Sequence, residues 1–267
     1  MNAEERLARS EGIEMACWLT PLPDLDSKLL FKVLTEVEPI RDSMVITGNA
    51  FETDESILPD LGPLSSLGKW EAVAATMDKK VQLLSGFEPT VTDFDEIIWQ
   101  NYAYKFSTMP FLLSKTTQRR EISISSLSLS EIIDAIEDMI LAVATENTFN
   151  AIIDSIKKMF QVAIESEGSE EKTFYTQQGI ISGKSSLLYV GYLRATVEMT
   201  YKSGEAYESL TQKIIIDNFS GSLDFEKCKR DSRTLLSWDG SDINEWMQNT
   251  SSANSLPNNS PAWKTSV

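Results

Sequence analysis

The carboxylate residues are the first candidates for chemistry in this chain of 267 residues. Glu137 and Asp138 are adjacent, and Asp93, Asp95 and Glu96 form a second close group. Paired carboxylates serve catalysis when a base, a nucleophile or a metal ligand accompanies them. Both groups instead occupy predicted helix starts or polar helix faces, where carboxylates act as caps and solvent contacts. The chain has no histidine, which removes the commonest general base and metal ligand. We therefore predict no catalytic residue, no metal, no cofactor and no enzymatic activity.

One short stretch is similar to the end of a phosphate-binding loop. Ser182-Gly183-Lys184-Ser185 has the Gly-Lys-Ser order, but Gln178 stands where that loop requires a glycine. The stretch also leads into a predicted strand, whereas a phosphate loop leads into a helix, so we reject a nucleotide site. The chain has one notable basic cluster, formed by Lys227, Lys229, Arg230 and Arg233. We interpret that cluster as a solvated loop.

Composition limits the partners of the protein. A net charge of −16 argues against binding to nucleic acid and against simple electrostatic adsorption to anionic lipid. Any membrane contact must then come from apolar burial. Cys17 and Cys228 lie too far apart to indicate a metal pair, and one disulfide between them is allowed but not required. The first residues lack an apolar run, which predicts synthesis as a soluble cytoplasmic chain, with release by lysis or a leaderless route left open.

Apolar periodicity predicts two helix pairs. The first pair covers about residues 66–85 and 93–105. The second begins with apolar residues at three- and four-residue spacing from Leu129 to Ala144, and repeats that spacing from Phe149 to Ile164. Ile140 and Phe149 are nine residues apart, or about half a turn out of phase at about 100° per residue. One straight helix would thus show its two apolar stripes on opposite sides, so we predict a tight helical hairpin.

A long strand follows the second hairpin, from Leu187 to Tyr201. Its odd positions are apolar or glycine, while its even positions become polar along the way, which predicts one dry face. Its length is roughly 50 Å, well above that of a usual strand. An apolar face of this length is also what a membrane-spanning strand needs. The candidate residues for membrane contact or assembly are Leu187, Tyr189, Leu193, Val197, Met199 and Tyr201.

Shorter strands surround this one. We predict strands at Met44–Ile46, Glu121–Ile124, Lys172–Gln178 and about Tyr207–Asn218, with loops at 47–65 and 179–186. The fold class is α/β of the α+β kind, a mostly antiparallel sheet flanked by two helical hairpins. Residues 1–247 are predicted to form one domain, in which residues 1–60 are an irregular or helical N-terminal extension. The Asn-, Ser- and Pro-rich residues 248–267 are predicted to be a disordered tail.

This order of elements, best seen from about Glu121 to Asn218, resembles the Cyt-type cytolytic delta-endotoxins. Residues 129–164 would match the second hairpin of that family, and the strands at 187–201 and 207–218 its central strands. Helices 66–85 and 93–105 would match the first hairpin. The resemblance implies a sheet wrapped by helical hairpins on both faces. It also implies proteins that lack a signal peptide, accumulate as inclusions and perturb membranes when the helices swing off the sheet.

Three functions follow as hypotheses. The first is a soluble, leaderless cytolysin or virulence factor, a pore-forming toxin that binds or perforates membranes after its helical layers rearrange. The second is a self-assembling or inclusion-forming interaction protein without enzymatic activity, whose long strands serve its own core and subunit contacts. The third, an enzyme with a carboxylate site, has the least support because histidine and catalytic motifs are missing. Membrane lipid and further copies of the chain are the expected partners.

Overall fold

The architecture is taken from a computed structural model. It describes residues 3–20, 43–53, 58–87, 96–124, 129–142, 144, 146, 149–150, 152–154, 156–158, 172–203 and 208–238. The predicted tail from residue 248 lies outside these residues.

Among the described residues, five long strands form one sheet, in the order β1-β3-β4-β5-β2. They are β1 (Ser43–Thr53), β2 (Leu112–Ile124), β3 (Lys172–Lys184), β4 (Leu187–Ser203) and β5 (Glu208–Leu223). β1 runs parallel to β3, and the other neighbouring pairs are antiparallel. The predicted long strand is β4, which has 17 residues and lies at the centre of the sheet. The predicted α+β class with a mostly antiparallel sheet is confirmed.

Helices surround the sheet. They are α1 (Ala3–Leu19), a 3-10 helix (Gly62–Leu67), α2 (Trp70–Ser85), α3 (Glu96–Ser107), α4 (Leu129–Leu141), α5 (Phe225–Arg230) and α6 (Ser232–Ser237). The described residues 149–150, 152–154 and 156–158 are also helical, where the second arm of the second hairpin was predicted. In the described part of residues 129–158 the apolar spacing therefore predicted helices at the correct places.

The strands are longer than their local patterns predict. β1 continues to Thr53 and β3 to Lys184, through residues predicted as loops, and β5 continues to Leu223 beyond the predicted end at Asn218. Each extension has a paired neighbour, because β1 pairs with β3 up to Gly183 and β3 pairs with β4 up to Lys184. A neighbouring strand that satisfies the backbone outweighs a weak local preference.

A two-residue turn joins β3 to β4. Ser185 and Ser186 both have positive φ, 53° and 62°. Positive φ at both central residues is the property of the type I′ turn, whose twist matches that of the strands it connects. The turn fixes the register in which Lys184 faces Leu187. Lys184 thus ends a strand that meets a hairpin turn, in agreement with the rejection of a phosphate loop.

The sheet separates two hydrophobic cores. One face packs against what we call the aromatic layer, formed by α1, the 3-10 helix, α2, α3, α5 and α6, with Tyr192, Phe219 and Leu223 as sheet residues. The other face packs against the aliphatic layer, formed by α4 and the helical residues 149–150, 152–154 and 156–158. Helices therefore cover both faces of the sheet, as the resemblance implies.

The prediction that β4 has only one dry face is wrong. Its even-numbered residues Tyr192, Arg194 and Thr196 are buried as well as its odd-numbered ones. The Arg194 guanidinium lies 5.3 Å from the centre of the Trp99 ring, and Arg194 faces Asp217 in the register with β5. An aromatic face and a neighbouring carboxylate both favour a buried guanidinium. The polar residues at even positions of β4 therefore do not mark a solvent-exposed face.

The N-terminal helix is held by polar contacts as well as by packing. The Lys105 ammonium of α3 is buried and donates to the carbonyls of Trp18 and Thr20, at 2.6 Å in each case. The indole of Trp18 donates in return to the carbonyl of Lys105 at 2.8 Å. Burial lowers the pKa of Lys105. A cation at the end of a helix satisfies carbonyls that have no partner within the helix, so Lys105 fixes the end of α1 on α3.

The basic cluster is not a solvated loop, which corrects the prediction. Its residues belong to α5 and α6, and Lys227 is buried. Lys227 lies 3.3 Å from Glu11 of α1, and Arg230 lies 2.6 Å from the same carboxylate. Although desolvation raises the pKa of Glu11, these two cations outweigh it and hold that pKa below its usual value. The cluster therefore joins the two ends of the described chain.

Candidate functional site: the odd face of strand β4 and its aliphatic layer

The odd face of β4 is an aliphatic surface in its middle section. Leu193, Ala195 and Val197 are buried there. Neighbouring strands widen this surface, because Ile214 and Ile216 of β5 lie opposite Val197 and Ala195 in the register, and Ile180 of β3 belongs to the same core. Strand pairing thus turns one row of side chains into an apolar patch three strands wide.

The aliphatic layer places its own apolar stripe on this patch. The stripe consists of Ile136, Met139, Ile140, Ala144, Ile152, Ile153 and Ile156. Glu137 and Asp138 are exposed on the outer side of α4. These carboxylates, considered above as an acid–base pair, therefore form the polar face of an amphipathic helix. α4 has an apolar face that suits either the sheet or a membrane interface.

The structure separates the six predicted membrane or assembly residues. Leu193 and Val197 lie together in the aliphatic core, Tyr189 is partly buried, and Leu187 is 37% exposed at the start of the strand. Met199 and Tyr201 pair through their backbones with Gln212 and Leu210. The side chains of Met199 and Tyr201 lie outside the described part of the structure.

The odd face becomes polar toward the Leu187 end, which sequence reasoning missed. Gly191 faces Ser220 and Tyr189 faces Ser222 on β5, while Ser182 of β3 faces Tyr189. These serines are buried, as is Asn218, which faces Leu193. The pattern of β4 alone could not show this change, because the polar residues come from the neighbouring strands. The apolar patch is therefore shorter than β4 itself.

A lysine connects the aliphatic layer to the sheet. Lys184, the last residue of β3, donates through Nζ to the carbonyl of Leu141 at 2.5 Å and to that of Ala144 at 3.3 Å. Leu141 is the last residue of α4, where the helix carbonyls have no internal donors and carry partial negative charge, and Ala144 lies three residues further along the chain. Lys184 thus holds the end of α4 over the edge of the odd face.

We expect Lys184→Met to loosen this end of α4 without changing the strand order. The substitution keeps an apolar chain of similar length and removes the ammonium. A loss of about 1–2 kcal/mol in the free energy of unfolding is expected from the charged hydrogen bonds and the helix dipole. Faster amide hydrogen exchange at residues 140–144 would report the loosening. Lys184→Arg is the control, since exchange as fast as in Lys184→Met would contradict a role for the charge.

The aromatic layer is attached to the sheet in a different way. Tyr192 of β4 contacts the rings of Phe87, Trp99 and Tyr102, with centroids 5.4–5.8 Å away. Tyr102 is fully buried and donates to the carboxylate of Asp78, so that two helices of the layer are also joined to each other. Burial, and then the charge of Asp78, raises the pKa of Tyr102 well above its usual value. Aromatic contacts and buried polar bonds thus rigidify this layer.

The described residues offer little else for chemistry. Among them no group of three or more Cys, Asp or Glu side chains is arranged to hold a metal ion. Within the same residues, no helix has both the length and the apolar character needed to cross a bilayer. Cys17 is exposed, Cys228 is buried, and both are free thiols, so the disulfide left open by the sequence does not form here.

Comparisons with known proteins show a distant likeness. No protein-family model matches the chain, and no curated protein matches it. One solved structure that it resembles is that of the Evf virulence factor, over 82% of this chain and 92% of that chain. The sequence identity is 12% and the TM-score is 0.38. At this score the likeness carries no argument about function.

Proposed function

We propose that this protein binds or perforates membranes, and that it does so when the aliphatic layer leaves the odd face of the sheet. The observation that supports this proposal is the division of the core into two clusters on opposite faces. The buried side chains of the cluster under α4 are aliphatic, Met139 included, and the partly buried Phe149 packs against them. Between Leu193 and Val197 this face is aliphatic, so lipid chains can replace the helices there without leaving buried polar side chains unpaired. The buried serines, Asn218 and the Lys184 bonds lie toward the other end of the face.

The energy cost of exposing the core requires that the aliphatic layer leave the sheet only in the presence of lipid. The sheet contributes six buried side chains to the aliphatic core, namely Ile180, Leu193, Ala195, Val197, Ile214 and Ile216. Exposing five larger aliphatic residues to water at about 1.5–3 kcal/mol each would cost on the order of 10 kcal/mol. That is comparable to the whole stability of a typical domain. The layer therefore stays closed in water and opens only where the patch and the stripe on α4 meet another apolar phase.

The aliphatic layer is the better candidate for movement than the aromatic layer. The side chain of Lys184 bonds the aliphatic layer to the sheet. The aromatic layer holds bonds such as Tyr102 to Asp78 and Lys105 to Trp18. The resemblance to Cyt-type endotoxins agrees with the movement of helices away from the sheet, but it does not distinguish between the two layers. We propose no enzymatic activity.

Dye release from vesicles tests the proposal. We expect micromolar protein to release an entrapped dye from phosphatidylcholine vesicles. We expect less release from vesicles rich in phosphatidylserine, because the net charge of −16 opposes approach to an anionic surface. Bovine serum albumin at the same concentration is the control for non-specific adsorption. Absence of release, both from the intact chain and after limited proteolysis, would reject the membrane function.

A second candidate function, self-assembly without enzymatic activity, has support from one feature. Strand β2 lies at an edge of the sheet and is exposed along most of its length. Exposed sheet edges are pairing surfaces for other strands. Filaments or crystals formed by a protein that releases no dye would favour this function over the first.

A further inference from the structure

Strand β2 has one free edge. It pairs with β5 on one side, and no other described strand pairs with it on the other. Residues 113–121 are all exposed, on both faces of the strand, so neither helical layer covers this section. Each alternate residue of such a strand directs its N–H and C=O groups outward, where they can pair with another strand.

The exposed section carries charge opposite to that of the whole protein. Lys115, Arg119 and Arg120 give three positive charges and Glu121 gives one negative charge, which leaves the section at +2, in a chain of −16. The edge of a second copy carries the same net +2, so net charge does not draw two edges together. A match between two copies must come from the position of each charge along the strand.

We propose that two copies of this chain pair antiparallel through β2, around a two-fold axis at Gln118. The sequence Lys-Thr-Thr-Gln-Arg-Arg-Glu from residue 115 to residue 121 is self-complementary in this register. Lys115 faces the partner's Glu121, and the same pair forms again on the other side of the axis. Thr117 faces the partner's Arg119, and Thr116 faces the partner's Arg120. Directly opposed charges are therefore always of opposite sign.

Strand geometry favours this register. A two-fold axis perpendicular to the sheet keeps each residue on its own face, so the paired residue numbers must have the same parity. The pairs named above satisfy this condition. Lys115 itself lies in the bulge, outside the register with β5, and its approach to Glu14 of α1 places its side chain on the side of the aromatic layer. The two-fold axis also brings residues with outward N–H and C=O groups opposite residues of the same kind, which an antiparallel ladder requires. The two sheets would then continue as one.

The side chains that form the end pairs lie on the same side of the sheet. Lys115 lies near Glu14 of α1 in the aromatic layer. Glu121 contacts Arg119 at 3.3 Å, and Arg119 lies 3.5 Å from Asp217. Glu121 also contacts Lys213 at 3.2 Å, yet its side chain remains 48% exposed. A carboxylate has about four acceptor positions, so Glu121 can accept a further lysine from the partner.

The alternative interpretation is that the charges on β2 prevent its edge from pairing with another strand. Lysine on an edge strand and a bulge, here between Leu113 and Thr116, are known devices for that purpose. Charges that only prevent pairing do not need to lie opposite charges of the other sign when two copies of the strand are placed antiparallel. The two readings predict different oligomeric states and different responses to charge exchange.

Charge exchange in the full-length chain provides the first test. We expect light scattering after gel filtration to show a concentration-dependent dimer at physiological ionic strength, where the repulsion between two chains of charge −16 is screened. Glu121→Lys places lysine opposite lysine twice and should raise the dimer Kd about tenfold or more. Lys115→Glu combined with Glu121→Lys restores both pairs and should restore the dimer. Circular dichroism checks that each variant is folded. A monomer for the wild type at all concentrations would overturn the proposal.

A cysteine on the axis provides the second test, independent of charge. In a Cys17→Ser background, Gln118→Cys faces its own copy and should form a disulfide-linked dimer under mild oxidation. Thr116→Cys is the matched control, exposed on the same face of the same strand. It would lie about four residues, or roughly 13 Å, along the strand from its copy and should not crosslink. Equal crosslinking of the two variants would reject this register. This inference does not depend on the membrane function, because both tests are made without lipid.

Discussion

A covalent link between the aliphatic layer and the sheet is expected to abolish dye release. We choose Ser185→Cys, in the turn after β3, and Ala142→Cys, just beyond α4, because both residues are exposed. Lys184, next to Ser185, already reaches the carbonyl of Leu141, so a short bismaleimide can span the two cysteines. Cys17, which is exposed, is replaced by serine, while Cys228 is buried. If the layer must leave the sheet, the linked protein should release no dye above background.

The controls for this experiment separate linkage from modification. The same double variant blocked with N-ethylmaleimide should release dye like the unmodified protein. Thermal melting should show that the linked protein is folded and at least as stable, since a crosslink restricts the unfolded chain. Dye release that continues after complete linkage would show that the aliphatic layer does not need to move, and would remove this mechanism.

A large effect on dye release is also expected when the contact between the aliphatic layer and the sheet is weakened instead of crosslinked. Ile136 of α4 is fully buried in the aliphatic core. Ile136→Ala should cost about 2–5 kcal/mol of stability, because it removes buried apolar volume and leaves a cavity. This loss falls on the contact between the layer and the sheet, so we expect the rate of dye release to increase about tenfold or more.

Met77→Ala supplies the matched comparison. Met77 of α2 is buried in the aromatic core, and its truncation should cost a similar 2–5 kcal/mol. If the aliphatic layer is the moving part, Met77→Ala should not increase the rate of dye release beyond that of the wild type. An equal increase in both variants would show that release follows general unfolding and not the departure of one layer.

The two experiments test the same interface from opposite directions. Linkage removes the open state, and Ile136→Ala favours it. Only a mechanism in which α4 separates from Leu193 and Val197 predicts opposite results from the two changes. An interaction protein that uses its edge strand without moving its layers predicts no dye release in either case.

The sequence by itself determined the elements whose patterns are local. The three- and four-residue spacing in α4 and the alternation in β4 are properties of consecutive residues, and each was predicted in the correct place. Burial of Leu193 and Val197 on one face followed from the same alternation. The weaker patterns of β1, β3 and β5 indicated strands but not their full lengths, because pairing with neighbours extends them.

Only the tertiary structure decided what covers each face of those elements. Tyr192 and Arg194 are buried because α2 and α3 lie over the even side of β4, and no local pattern contains that contact. Lys184 meets the end of α4 from a distance of 43 residues in the chain. Periodicity indicates which residues share a face, whereas their burial depends on which element packs against that face. For the same reason, the sequence did not identify β2 as an exposed edge strand. Its exposure depends on which elements lie beside it in the fold.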